Sequence, residues 1–397
     1  MKMHSAGLLL QSNKRLNAGT LWAVLRRRPQ FSLRSLLIAV LLIGCGIGAY
    51  LRWTPWVRHC VITGALRVTT ASFSSDGRHI LTTSFDNTAG VWDAQNGTRT
   101  VQLLGHTKGI LSGAFSPDGN RVVTAGLDCT VRVWDALNGH ELKCLSQVFY
   151  PEKAAWSPDS KHLAIIDHEV VMLWSTDIWC CEVQLKHDGK ISGLAYSPDG
   201  KRIVTAEKCT RTRPDGLGIV QSRLSLWDKT GNKLVTIDLT DGSIDNIAFS
   251  PDGRCIVVDG EQDQIRDANT LRPIHSINGI PYVDWGFESF RWVLHAKFSP
   301  DGSRVMGVSE DALLFWDPRN SAPLLRLDFK DVYTIRSVNY SLKGDRFVIA
   351  GDGLVTQIWI NRRSEGIWGL TEVWIAVALI LFEIGCWIRA ARKQCPR

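Results

Sequence analysis

No two of the ten cysteines in this 397-residue chain are spaced Cys-x-x-Cys, and none joins a histidine pair at zinc-finger spacing. That removes the common zinc folds and the thioredoxin-type redox centre. Seven cysteines (Cys60, Cys129, Cys144, Cys180, Cys181, Cys209 and Cys255) fall in the middle of the chain. They read as small buried hydrophobes, and the adjacent Cys180 and Cys181 as two ordinary thiols. There is also no Gly-x-Ser-x-Gly elbow, no His-Glu-x-x-His and no phosphate-cradling glycine loop. The usual signatures of a hydrolase, a zinc peptidase and a nucleotide phosphatase are therefore missing. The expectation is no catalytic, metal-binding or cofactor-binding residue, and no cofactor.

Acidic residues are missing from both ends. Residues 1–34 carry Lys2, Lys14, Arg15, Arg26, Arg27, Arg28 and Arg34, and the tail adds Arg389, Arg392, Lys393 and Arg397. Of the 46 basic residues these ends hold eleven, which leaves 35 against 39 acidic ones between them. The net charge of +7 thus belongs to the ends, and the middle lacks the basic footprint of a nucleic-acid binder.

Long apolar runs are absent except at two places. The first, Ser35 to Leu51, is flanked by Arg34 and Arg52 and as a helix spans about 25 Å, the short end of the membrane-crossing range. The second, Ile367 to Ile388, carries Trp368, Trp374 and Trp387 like interfacial anchors. Basic clusters before the first and after the second predict two membrane spans with both termini cytoplasmic and the middle outside, at a cell inner membrane. Two other readings of the first run stay open. One is a cleaved signal peptide. In the other, Leu42-Ile43-Gly44-Cys45 resembles a lipobox, with Cys45 lipidated. Gly44 and Gly48 form a small-xxx-small pair suited to close helix packing. Glu383 sits within the second run and reads as snorkelling or pairing with Arg34.

What is abundant is repetition. An aromatic-Ser-x-x-Gly turn recurs as Phe73-Ser-Ser-Asp-Gly77, Phe115-Ser-Pro-Asp-Gly119, Tyr196-Ser-Pro-Asp-Gly200, Phe249-Ser-Pro-Asp-Gly253 and Phe298-Ser-Pro-Asp-Gly302. Weaker copies, Trp156-Ser-Pro-Asp-Ser160 and Tyr340-Ser-Leu-Lys-Gly344, bring the total to seven, at spacings of 42, 41, 40, 53, 49 and 42 residues. Proline presets the turn, aspartate bonds nearby backbone and glycine accepts positive φ. Short alternating apolar segments flank each turn and read as paired strands. A third strand follows, ending in tryptophan: Trp92-Asp93, Trp134-Asp135, Trp174, Trp227-Asp228, Trp316-Asp317 and Trp359. The fifth copy departs from this with Ile265-Arg266-Asp267. A fourth strand completes each copy.

Four strands per roughly forty residues, a Ser-Pro-Asp-Gly turn and a closing Trp-Asp resemble the WD-repeat propeller family. The resemblance covers about residues 58–360. It implies an all-β, seven-bladed WD-repeat β-propeller, here flanked by one N-terminal and one C-terminal transmembrane helix. The expected organisation is a basic N-terminal segment 1–34, a span 35–51, the propeller 58–360, a span 367–388 and a basic tail 389–397. The second copy matches the family's structural tetrad with His106, Thr124, Asp128 and Trp134. The first keeps Asp86 and Trp92, and the fourth has His187 and Trp227 without the matching aspartate. Another propeller type that uses Ser-Pro-Asp-Gly turns lacks the regular Trp-Asp.

A propeller has to close its ring or leave strand edges exposed. The last copy supplies three strands, so Arg58–Thr63 is expected to complete it as the fourth. With strands labelled a to d in order within a blade, the a–b and c–d turns share one face and the b–c and d–a loops the other. Both chain ends then leave from the a–b face, which is expected to face the membrane. Two insertions map to the opposite, distal face: about Glu207–Arg223 and about Asn278–Arg291. The second carries Tyr282, Trp285, Phe287 and Phe290, of the aromatic types that anchor interfaces. With Arg211 and Arg213 of the first, these are the candidate partner-binding residues, although the rings also fit simple packing of the loop onto the blades. The functional expectation is a non-enzymatic, membrane-integral protein-interaction scaffold with protein partners and no nucleic acid. The alternative is a propeller enzyme or small-ligand sensor using the central channel.

Overall fold

The computed structural model describes residues 56–361, apart from 64–66, 147–150, 213–217, 240–243, 261–263, 277–293, 310–311, 321–322, 330–333 and 353–354. Both expected membrane spans lie outside the described residues. Among the described residues, no helix is long and apolar enough to cross a membrane.

The described strands form seven four-stranded antiparallel sheets. Blade one shows the plan: a Val68–Phe73, b His79–Ser84, c Ala89–Asp93 and d Arg99–Leu103. The a strands of blades two to seven are Ile110–Phe115, Pro151–Trp156, Lys190–Tyr196, Ile244–Phe249, Leu294–Phe298 and Thr334–Tyr340. Each lies against the a strands of its two neighbours, and the seventh lies against the first. The circle is closed.

Closure uses the strand that the sequence places first. Trp56–Thr63 pairs antiparallel with Val355–Asn361, from Trp56 opposite Asn361 to Thr63 opposite Val355. Blade seven is therefore built from both ends of the ring. The Asn361 N–H donates to the carbonyl of Asp345, in the a–b turn, at 2.8 Å. Both ends of the ring thus leave from the face of the serine-aspartate turns.

The core is distributed among the seams. Seven apolar clusters occur, one between each pair of neighbouring blades. At the closing seam, Ile62, Val348, Ala350 and Ile358 of blade seven pack on Val68, Ala71, Phe73, Ile80 and Trp92 of blade one. Strands b and c are largely buried, whereas the d strands alternate toward solvent, as in Arg99–Leu103 and Lys233–Leu239. The flank of a single blade is apolar on both sides, so burial is complete only when the ring is.

The recurring turn has one hydrogen-bond scheme. In blade four, Ser197 Oγ donates to Asp199 Oδ1 at 2.5 Å and accepts the Arg202 N–H at 2.9 Å. The Lys201 N–H donates to Asp199, and Gly200 closes the turn at φ +67°. The Ser197 hydroxyl and the Lys201 N–H hold the Asp199 carboxyl below the usual carboxylate range. The two weak copies are each compensated. Ser160 takes φ +60° in place of glycine, while its hydroxyl accepts the Asp118 N–H and its carbonyl the Arg121 guanidinium. In blade seven Lys343 replaces aspartate, and Asp345, two residues on, accepts from Ser341 at 2.7 Å.

The first insertion differs from the loop expected over Glu207–Arg223. Strands b and c of blade four continue as an eleven-residue ribbon, Arg202–Thr212 with Gly218–Asp228, paired from Arg202–Asp228 to Thr212–Gly218. The seven cysteines of the ring are free thiols, Cys180 and Cys181 included.

Ile62 is fully buried in the strand that closes the ring. Ile62→Ala should lower the unfolding free energy by about 2–5 kcal/mol, the cost of a buried large-to-small change. A denaturant titration checks this, and an unchanged midpoint would mean that the strand is not part of the folded core.

Candidate functional site

The four tetrad positions form one hydrogen-bond chain. The Trp134 indole Nε1–H donates to Thr124 Oγ1 at 2.8 Å. His106 Nε2 meets the same hydroxyl at 2.8 Å, and its Nδ1 meets Asp128 at 2.9 Å. Asp128 also accepts the Thr107 N–H at 3.0 Å and the Thr130 hydroxyl at 2.7 Å. His106 lies on the d–a loop and Asp128 in the b–c turn, so the chain ties two loops of the face opposite the serine-aspartate turns to strands b and c. Burial pushes the His106 imidazole below its ordinary range, outweighing the upward pull of Asp128.

Blade four solves the same problem with a different acid. The Trp227 indole donates to Thr205 Oγ1 at 2.9 Å, and His187 Nε2 meets that hydroxyl at 2.8 Å. No aspartate faces His187 Nδ1, which meets the Leu185 carbonyl at 3.0 Å. Glu207 accepts the loop N–H groups of Asp188 and Gly189, at 2.9 and 3.3 Å. Its buried carboxylate is 3.3 Å from Arg223, which also pairs with Asp188 and Asp238. Glu207 thus holds the loop backbone as Asp128 does, and it had been counted with the insertion. In blade one, Trp92 donates to Thr82 at 2.8 Å. In blade five, the buried Arg266 replaces the tryptophan and donates to the Leu271 carbonyl and Gln264.

Of the candidate partner-binding residues, Tyr282, Trp285, Phe287, Phe290 and Arg213 lie outside the described residues. Arg211 pairs its backbone with Ile219 in the ribbon. Among the described residues, no three His, Cys, Asp or Glu side chains are grouped to hold a metal ion. The turn face carries an open groove of about 480 Å³ between blades seven and one, lined by Asp76, Asp93, Lys343 and Arg346 among others.

One cluster was not read from the sequence. Lys153, in the a strand of blade three, donates to Asn246 Oδ1 of blade five at 3.2 Å. Lys297 of blade six donates to Asn339 of blade seven, and Asn339 Nδ2 donates to the Ala71 carbonyl of blade one at 2.6 Å. Partners so far apart in sequence meet only where the a strands converge on the axis.

Comparison with known proteins bears on the repeats. The family described as "WD domain, G-beta repeat" matches residues 57–93, 97–135 and 179–212. The matched repeats and the seven-bladed ring support the WD-repeat propeller family. The chain is similar to a guanine nucleotide-binding protein subunit beta of Nicotiana tabacum, 30% identical over 195 residues, 47% of this chain and 49% of the relative. It also resembles subunits of the same name from Solanum tuberosum, 28% identical over 196 residues, and Arabidopsis thaliana, 26% over 204. These cover 47% and 49% of this chain and 48% and 51% of the relatives. The chain thus spans about half the length of the curated relatives it matches.

Thr124 is fully buried and serves two partners. Thr124→Val leaves the His106 and Trp134 nitrogens without their shared oxygen and should cost about 1–3 kcal/mol in a denaturant titration. A change of a few tenths would contradict the bridging role. Burial also lowers the His187 imidazole, despite the opposing Glu207 charge. Both imidazoles therefore bind protons more readily in the unfolded chain. Stability should fall as pH drops below about 6.5 and through the folded values. A flat unfolding midpoint from about pH 7 to about pH 5 would contradict this.

Proposed function

We propose that this chain is a non-enzymatic protein-interaction scaffold, held at a cell inner membrane by spans 35–51 and 367–388, that presents its distal face to a protein partner. The observation that carries the reading is the pairing of Trp56 with Asn361. It sends both ends of the ring out of the serine-aspartate face and leaves the b–c and d–a loops free. The ribbon of blade four extends on that free side, and the tetrads of blades two and four stiffen loops there. The relatives are named as subunits, which accords with a role in assembly. In this reading Tyr282, Trp285, Phe287 and Phe290 form the docking patch beside Arg211 and Arg213.

Proximity labelling in the native cell tests the patch. Changing Tyr282, Trp285 and Phe290 to alanine should remove the principal labelled neighbour, and an identical set of neighbours in both strains would sink the assignment. A reporter fused after Arg397 should be active in the cytoplasm, and activity only outside it would overturn the two-span topology. The second reading, a small ligand in the central channel, is favoured by the lysines found there.

A further inference from the structure

The a strands are stitched together by one recurring position, three residues before the turn aromatic. There the Ser112 hydroxyl accepts the Ala154 N–H of the next blade at 3.3 Å, and that of Ser337 accepts the Ala71 N–H at 3.2 Å. Asn246 Nδ2 donates to the Ala296 carbonyl at 3.3 Å. A register irregularity just before this position, for example between Ile110 and Ser112 or Ile244 and Asn246, recurs and aims the side chain.

Blades one, two, five and seven place Thr70, Ser112, Asn246 and Ser337 at this position, and blades three and four depart from that pattern. Their residues at this position are Lys153 and Gly193. A Cβ on Gly193 would stand 3.2 Å from Ile247 Cγ1, so blade four sets no side chain here, and Lys153 extends past it to Asn246 of blade five. Lys297 enters from the opposite side of the ring, two positions further along its own strand. Both lysines are half-buried, and burial with the Lys153 charge beside it pushes the Lys297 ammonium down to about 8. One carboxylate, Asp259, acts on both, and it already accepts the Ala296 N–H at 2.8 Å. Each ammonium has three donors and spends one on an asparagine oxygen. Among the described residues, two positive groups with spare N–H donors thus share a partly buried site with one negative group, an arrangement costly to leave without a counter-charge.

We propose that the central channel is a binding site for a small oxyanion of the phosphate or sulfate class, held between the ammonium groups of Lys153 and Lys297. Asn246 and Asn339 fix the two ammonium groups, and the gap left by Gly193 admits the first of them. The distal docking reading is not needed for this assignment, and either can fail alone.

Thermal unfolding of the full chain in inorganic phosphate, against chloride at matched ionic strength, tests it. The wild-type midpoint should rise and saturate with phosphate, and sulfate should compete for the same increment. Lys297→Met and Lys153→Met should each weaken the phosphate midpoint concentration by at least about tenfold, whereas Lys297→Arg should keep a saturable response. A rise without saturation, shared equally by wild type and both methionine variants, is the general effect of an excluded salt and would overturn the assignment. So would a wild type that responds to phosphate and chloride alike.

Discussion

The constraint on which everything else rests is that no blade can bury both of its flanks alone. Each four-stranded sheet is apolar on two faces, and each seam contains a cluster drawn from two neighbours. Six seams form between blades that are adjacent in sequence. The seventh needs the two ends of the ring, and Trp56–Thr63 supplies it by pairing with the last strand. Ile62 makes the point in one residue: it belongs to blade seven by hydrogen bonding and packs among the side chains of blade one. The same pairing decides which face carries the chain ends, so the geometry of the ring and the reading of its free face have a common origin.

Repetition supplies a plan, and the departures from it carry the individuality. Blade four replaces the tetrad aspartate with Glu207, two residues after Thr205 in strand b, and so keeps the loop backbone bonded while the histidine finds a carbonyl instead. Blade five replaces tryptophan with an arginine that hydrogen-bonds within its own blade. Blade seven moves its turn aspartate to Asp345. In blades four and seven a relocated carboxylate still serves the loop N–H groups or the turn serine. The lysine crossing has no such equivalent. It replaces a short-range stitch between neighbours by a reach past one blade to the next, and it brings in charge.

The fold was legible because its signals are local. The serine-aspartate turn, the closing tryptophan and a spacing near forty residues fix the strands, their number and the need for a first strand in the last blade. The tetrad of His106, Thr124, Asp128 and Trp134 was legible through resemblance, since its members fall within one repeat. The ribbon of blade four was not. Arg211 and Gly218 look like parts of a polar loop, and only continued pairing from Glu207 opposite Arg223 to Thr212 opposite Gly218 makes them strand. The channel cluster was hidden for a different reason. Lys153 and Asn246 are 93 residues apart, and no periodicity marks them as partners. The repeat gives each an equivalent place in its strand, but only the closed ring shows that blade four sets no side chain between them.

Native-state hydrogen exchange along Trp56–Thr63 tests the closed circle most directly. If the ring is one cooperative unit, the buried amides of this strand exchange with the same opening free energy as those of Thr130–Asp135 in blade two, and follow it as denaturant is added. Opening of Trp56–Thr63 at much lower free energy, while blade two stays protected, would show a chain of six self-sufficient seams with a loose end, and would contradict the account.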